Sequence, residues 1–242
     1  MQEDKIIEVK KIKKICRDKT ILDIEEFAVL KNKFNFIIGG NGSGKTSLLN
    51  ILSLIDQNYK GELFYEGQSI NKDEQNLKLR RKFSVIWQDP YLYRGNVFYN
   101  IALPLKLRGV DQNSINKKVR AVAARLEIEN FLEQSAHTLS GGEKQKTSIA
   151  RALITEPEIL FVDEATTNLD EESIQFFNSH FADLVTDEMT VVMVSHDSRQ
   201  IKELADQITL LKGGKVEITK TINNFNFELF GAGIEAPIAE IV

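Results

Sequence analysis

Five short apolar runs punctuate the chain: Phe34-Asn-Phe-Ile-Ile38, Phe83-Ser-Val-Ile-Trp87, Ile159-Leu-Phe-Val162, Thr190-Val-Val-Met-Val194 and Ile208-Thr-Leu-Leu211. Near-continuous apolarity bounded by glycine or acidic residues suits strands covered on both faces of a parallel sheet, although each run alone also fits a buried helical segment. After the first run, Leu48, Ile51, Leu52 and Ile55 recur at helical spacing, so this unit predicts strand, glycine-rich turn, helix. β-Branched stretches at residues 6–9 and 20–24 predict an antiparallel edge near the N-terminus. Val119, Val122, Ala123 and Leu126 predict a helix within residues 114–131, part of an inserted helical region at about 89–150. The expected fold class is therefore α/β, with a mostly parallel sheet, an N-terminal antiparallel β subdomain and an inserted helical subdomain.

Composition narrows the function classes. The 242 residues give room for one large domain or two small ones, and 42% hydrophobic with 27% charged residues is ordinary globular usage. No apolar run exceeds four residues, against the roughly 20 that a membrane helix needs, and the N-terminus lacks the apolar core of a signal peptide. A soluble chain is expected. The single cysteine, Cys16, excludes an internal disulfide and, with three scattered histidines, a sequence-evident zinc cluster, which fits a reducing cytoplasm. Lys and Arg total 31 against 35 Asp and Glu, so no global field draws nucleic acid or anionic lipid, and no nucleic-acid partner is expected. The basic runs at residues 10–14 and 80–82 sit among other charges and read as solvated faces.

The chemistry lies first in Gly39-Gly-Asn-Gly-Ser-Gly-Lys-Thr46, which fits G-x-x-x-x-G-K-[ST] between the expected strand and helix. Glycines let backbone N–H groups turn onto phosphate oxygens, and the helix N-terminus adds positive potential. Lys45 is placed to neutralise β/γ-phosphate charge, and the Thr46 hydroxyl can ligate Mg²⁺. The candidate nucleotide-binding set is Gly39, Gly40, Asn41, Gly42, Ser43, Gly44, Lys45, Thr46 and Ser47. Downstream, the run ending at Val162 leads into Asp163-Glu164. A carboxylate at the end of a buried strand can hold a Mg²⁺-bound water, and the next can polarise an attacking water.

Leu139-Ser-Gly-Gly-Glu-Lys-Gln145, shortly before that acidic pair, resembles the signature loop of ATP-binding cassette (ABC) ATPases. The resemblance extends from about residue 5 to residue 215. Gln88 is similar to the Q-loop glutamine, Asn168-Leu-Asp170 to the D-loop, and His196 to the histidine that contacts the γ-phosphate. The resemblance implies a head-to-tail homodimer holding two ATP molecules, each between one 39–46 loop and the opposite 139–142 turn. It assigns catalysis to Glu164, His196 and Gln88, and Mg²⁺ to Thr46, Gln88 and Asp163. Nucleotide contacts from the second copy fall to Ser140, Gly141, Gly142 and Asp170.

The resemblance further implies one cassette over 1–242: a core at about 1–88 and 151–214, a helical subdomain at about 89–150, and a short extension at 215–242. The segment at residues 100–109 resembles the region of importer-type ATPases that faces a permease, with Tyr91, Leu92, Tyr93 and Val97 as candidate groove residues. The implied partners are transmembrane permease subunits and a solute-binding protein, and the implied location is the cytoplasmic face of the cell membrane. Tungstate represents the oxyanion class of cargo. A lipoprotein-release or export ATPase and a soluble iron–sulfur assembly ATPase are the alternatives. Two positions depart from the family pattern. Cys16 stands about where an aromatic residue packs on adenine, leaving Ile15 or Arg17 to make that contact, and the D-loop begins Thr167-Asn.

Overall fold

The computed structural model describes residues 4–70, 76–166 and 171–221, apart from the side chain of residue 172. In chain order its strands are β1 (Lys5–Cys16), β2 (Lys19–Leu30), β3 (Phe34–Ile38), β4 (Lys60–Tyr65), β5 (Gln68–Ser69), β6 (Phe83–Ile86), β7 (Ile159–Asp163), β8 (Thr190–Val194), β9 (Gln207–Lys212) and β10 (Lys215–Thr221). The helices are α1 (Lys45–Leu52), α2 (Leu77–Arg80), α3 (Val97–Leu107), α4 (Gln112–Arg125), α5 (Gly141–Leu153), α6 (Glu171–Leu184) and α7 (Ser198–Leu204). These elements form two compact units, one from residues up to Arg80 with those from Glu188 onward, the other Arg81–Asp187.

The first unit holds two sheets. One is antiparallel, in the order β2-β1-β4-β5, and realises the expected N-terminal β subdomain with longer strands than the β-branched runs suggested. Its first hairpin turns through Arg17 and Asp18 at φ 47° and 63°, the left-handed pair of a two-residue type I′ turn, whose twist matches the flanking strands. In the other sheet β3 pairs in parallel with both β8 and β9, and β10 closes the edge antiparallel to β9. Helix α1 packs against β8 and β2. Its Leu48, Leu49, Ile51 and Leu52 are fully buried, each contributing about 1.5–3 kcal/mol.

The expected helical stripe stops short of Ile55. Leu54 adopts φ 61°, and the Leu54 and Ile55 amides return to the carbonyls of Ile51 and Asn50 at 3.0 and 2.9 Å. This Schellman closure ends α1 and leaves Ile55 exposed.

In the second unit β6 and β7 pair in parallel, and α5 packs with α3 and α4. Strand β6 covers the expected run 83–87 up to Ile86, β7 covers the run 159–162 and adds Asp163, and β7 is buried at every position. Helix α4 covers the first part of the expected 114–131 segment. Glu127 at φ 58° then breaks it, and a 3₁₀ turn follows at Glu129–Phe131.

Candidate functional site

The 39–46 loop runs from the end of β3 into α1. Gly39 has φ 150°, and a Cβ there would lie 2.1 Å from the Leu211 carbonyl oxygen. Gly44 has φ 104°, and a Cβ there would meet the Leu22 side chain at 2.7 Å. Both positions require glycine for space as well as for backbone angle. The Ser43 amide closes onto the Gly40 carbonyl at 3.2 Å, while Asn41 and Gly42 form an exposed tip. Lys45 is buried, and its ammonium donates to the carbonyls of Gly39 at 2.9 Å and Gly40 at 3.2 Å. Thr46 is exposed and Ser47 half-buried in the first turn of α1.

Two features suit this loop to an anion. Helices α3, α4, α5 and α7 begin with side-chain caps from Asn96, Asp111, Ser140 and Asp197. Helix α1 instead starts at Gly44 with no side-chain cap and no acidic residue in its first turn, an arrangement that suits an anion at the positive end of the helix. The Ser43 hydroxyl is also buried without a hydrogen-bond partner.

His196 follows β8 and is exposed. Its turn is fixed by the Ser195 hydroxyl, which donates to Gln200 Oε1 at 2.8 Å and accepts from the Asp197 amide at 3.1 Å. Near the first hairpin, Cys16 is exposed and Ile15 is 48% exposed, with Arg17 in the turn itself.

In the second unit Asp163 ends β7 and is buried, and Glu164 follows half-buried at φ 43°. A left-handed non-glycine backbone costs about 1–3 kcal/mol and concentrates at functional sites. Gln88 lies two residues past β6 and is half-buried. The 139–142 turn caps α5 reciprocally: Ser140 Oγ accepts from the Glu143 amide at 3.2 Å, and Glu143 Oε2 accepts from the Ser140 amide at 2.7 Å. Ser140 and Gly141 are exposed and Gly142 is buried. The D-loop residues 167–170, Asp170 included, lie outside the described residues.

Thr46 thus belongs to the first unit, Gln88 and Asp163 to the second. Their hydroxyl, amide and carboxylate oxygens are hard donors of the kind Mg²⁺ takes.

Of the aromatic segment after Gln88, Tyr91 is 67% and Tyr93 46% exposed, with their rings edge-on at 5.3 Å. Val97, expected beside them, is fully buried in α3 and belongs to the core. The sequence pattern also passed over three polar side chains here: Asn100, Gln145 and Arg151. Asn100, wholly buried, accepts the Tyr93 amide at 2.7 Å and donates to the Tyr93 and Asn96 carbonyls at 3.0 Å. A polar residue on the apolar face of an amphipathic helix was the available signal.

Residues 22–167 match the family model described as ABC transporter. The chain is 36% identical over 211 residues to the tungstate uptake system ATP-binding protein TupC of Peptoclostridium acidaminophilum, covering 87% of this chain and 96% of that protein. It is 34% identical to the lipoprotein-releasing system ATP-binding protein LolD of Aquifex aeolicus (strain VF5), over 89% of this chain and 98% of that one. Methionine import ATP-binding proteins MetN of Francisella tularensis match at 33%, with 91% of this chain aligned to 65% of their length. Among solved structures, the ATP-binding cassette MJ0796, a dimer in a post-hydrolysis state bound to ADP and Pi, superposes with TM-score 0.81. It is 26% identical, with 90% and 99% of the two chains covered. CbiO1 of Clostridium perfringens superposes at TM-score 0.80 and 24% identity over 90% and 89%, a likeness of fold.

Proposed function

Because the chain belongs to the ABC transporter family and is an ABC-type ATPase, we propose that it powers import of a small solute, an oxyanion such as tungstate, through a separate membrane permease. The observation that carries this reading is the 36% identity to a tungstate uptake ATP-binding protein along 96% of that protein. Binding of ATP follows from the family, and the ADP and Pi in the MJ0796 dimer accord with hydrolysis.

In this reading the backbone of residues 39–44 and the uncapped start of α1 receive the phosphates, with Ser43 Oγ and the Lys45 ammonium as further donors. Thr46, Gln88 and Asp163 would hold Mg²⁺, which would neutralise β/γ-phosphate charge. Glu164 orients the attacking water and takes its proton, and His196 donates to the γ-phosphate as charge develops there. Ser140, Gly141, Gly142 and Asp170 serve the nucleotide of a second copy in a homodimer, a state supported by the dimeric relative. Closing of the dimer on ATP and its release after hydrolysis would drive the permease.

The exposed Tyr91 and Tyr93 suit a permease segment, and uptake relatives imply a solute-binding protein. Among the described residues no helix is long and apolar enough to cross a membrane, consistent with a peripheral place on the cytoplasmic face.

The test is co-purification from detergent-solubilised membranes, followed by ATPase assay and tungstate uptake in vesicles. A permease that raises ATP turnover and accumulates tungstate is expected. Loss of the oxyanion with retention of a lipoprotein-extracting membrane complex would favour the second reading, which the LolD likeness supports. Recovery with soluble scaffold subunits alone would overturn transport.

A further inference from the structure

Helix α5 starts at the Ser140 turn and carries two polar side chains, buried Gln145 and half-buried Arg151, that reach the segment after β6. Gln145 is 1% exposed; its Nε2 donates to the Trp87 carbonyl at 3.4 Å, a long bond, and its Oε1 is buried with no hydrogen-bond partner. The Arg151 guanidinium sits 5.7 Å from the centre of the Tyr93 ring, and its Nη1 is also buried and unpartnered. The Tyr93 main chain is held by two hydrogen bonds to the Asn100 side chain, which also donates to the Asn96 carbonyl. The stretch from Trp87 to Tyr93 is therefore fixed firmly at one end and loosely at the other, and Gln88 adjoins the loose end.

A buried amide with an orphaned acceptor is worse for stability than an apolar side chain of the same shape, so the fold alone gives no reason for glutamine at 145. Partial satisfaction fits an element with two arrangements, in the other of which its polar partners are complete. We propose that Gln145 is a positioning residue that ties α5 to the Gln88 loop. When Gln88 engages nucleotide, a backbone N–H of the loop moves onto Gln145 Oε1, and the bond to the Trp87 carbonyl shortens. Gln145 touches no substrate and acts through the main chain. Because Ser140 caps the same helix, the 139–142 turn and Gln88 respond together. The inference rests on the role given to Gln88 above.

Gln145→Met retains the volume and removes both polar atoms. Its expected behaviour is a thermal midpoint equal to or above the parent's, a KM for ATP within about twofold, and kcat lower by about tenfold. Hydrogen exchange at residues 88–92 slows in the parent with a non-hydrolysable ATP analogue and does not slow in the variant. Parental kcat in Gln145→Met, or a kcat loss matched by a fall in midpoint, overturns the proposal. Gln88→Ala in parallel separates the two assignments. If it leaves kcat unchanged, the Gln88 role fails; if it lowers kcat while Gln145→Met does not, only the Gln145 role fails. Should Gln145→Met not fold, the parent decides: no nucleotide-dependent slowing at 88–92 overturns the proposal.

Discussion

The Lys45 ammonium donates to the Gly39 carbonyl at 2.9 Å and to the Gly40 carbonyl at 3.2 Å, so the lysine closes its own loop from within. The bond braces the cradle and keeps the positive charge aligned with the start of α1. Lys45→Ala removes both functions. A charge-assisted hydrogen bond is worth about 1.5–3 kcal/mol, which corresponds to roughly 10- to 100-fold weaker ATP binding in equilibrium titration. Unchanged affinity would contradict the assignment of the loop.

Glu164→Gln keeps the side-chain shape and leaves the φ 43° backbone as it is. It removes the proton acceptor. ATP binding is expected to persist while steady-state hydrolysis drops about 10²–10⁴-fold. A variant that turns over at the parental rate would exclude Glu164 as the base.

The Ser140–Glu143 reciprocal cap separates a structural from a chemical role. Ser140→Ala loses half of it and is expected to cost about 1 kcal/mol, read as a fall of about 2–4 °C in thermal midpoint. Ser140→Asp restores a capping oxygen, so stability returns, but it brings negative charge to a turn assigned to phosphate. Turnover is expected to stay low in the aspartate variant. Recovery of full activity together with stability would reduce Ser140 to a cap.

Alkaline stability should report Tyr59, whose phenol is pushed up to about 12, first by burial and then by the nearby Asp56 carboxylate. Between the unfolded value of about 10 and the folded value, the native state binds more protons than the unfolded state. Stability therefore falls as pH rises through that window, and below it the group contributes no pH dependence. Tyr59→Phe removes this part of the loss. Denaturation midpoints measured from pH 9 to 12 should decline less steeply in the variant, and identical slopes would refute the claim.

How much of this was legible beforehand differs by element. The bounds of β3 and β8 coincide with the runs 34–38 and 190–194, because both strands are buried along nearly their whole length and their polar members, Asn35 and Thr190, are buried too and accept main-chain N–H groups. Strands β4 and β10 escaped notice because each exposes part of its length and mixes lysine and glutamate, and in β10 threonine, with its apolar residues. Helix α3 was read for its resemblance alone, and Asn100 at its buried face became visible as an anchor only with Tyr93 folded against it. Ile55 followed the helical period in sequence, yet the left-handed Leu54 removed it from the buried stripe.

The residue string alone determined the parallel-strand core, the glycine-rich loop and the family motifs, because period, glycine placement and fixed spacing are local properties. Tertiary structure decided what no local pattern encodes. It left α1 without a cap while other helices received one, folded Lys45 onto the carbonyls of its own loop, and buried Gln145 Oε1 with nothing to bond. Each depends on which groups the packed chain brings within hydrogen-bond reach and which it shuts away from water.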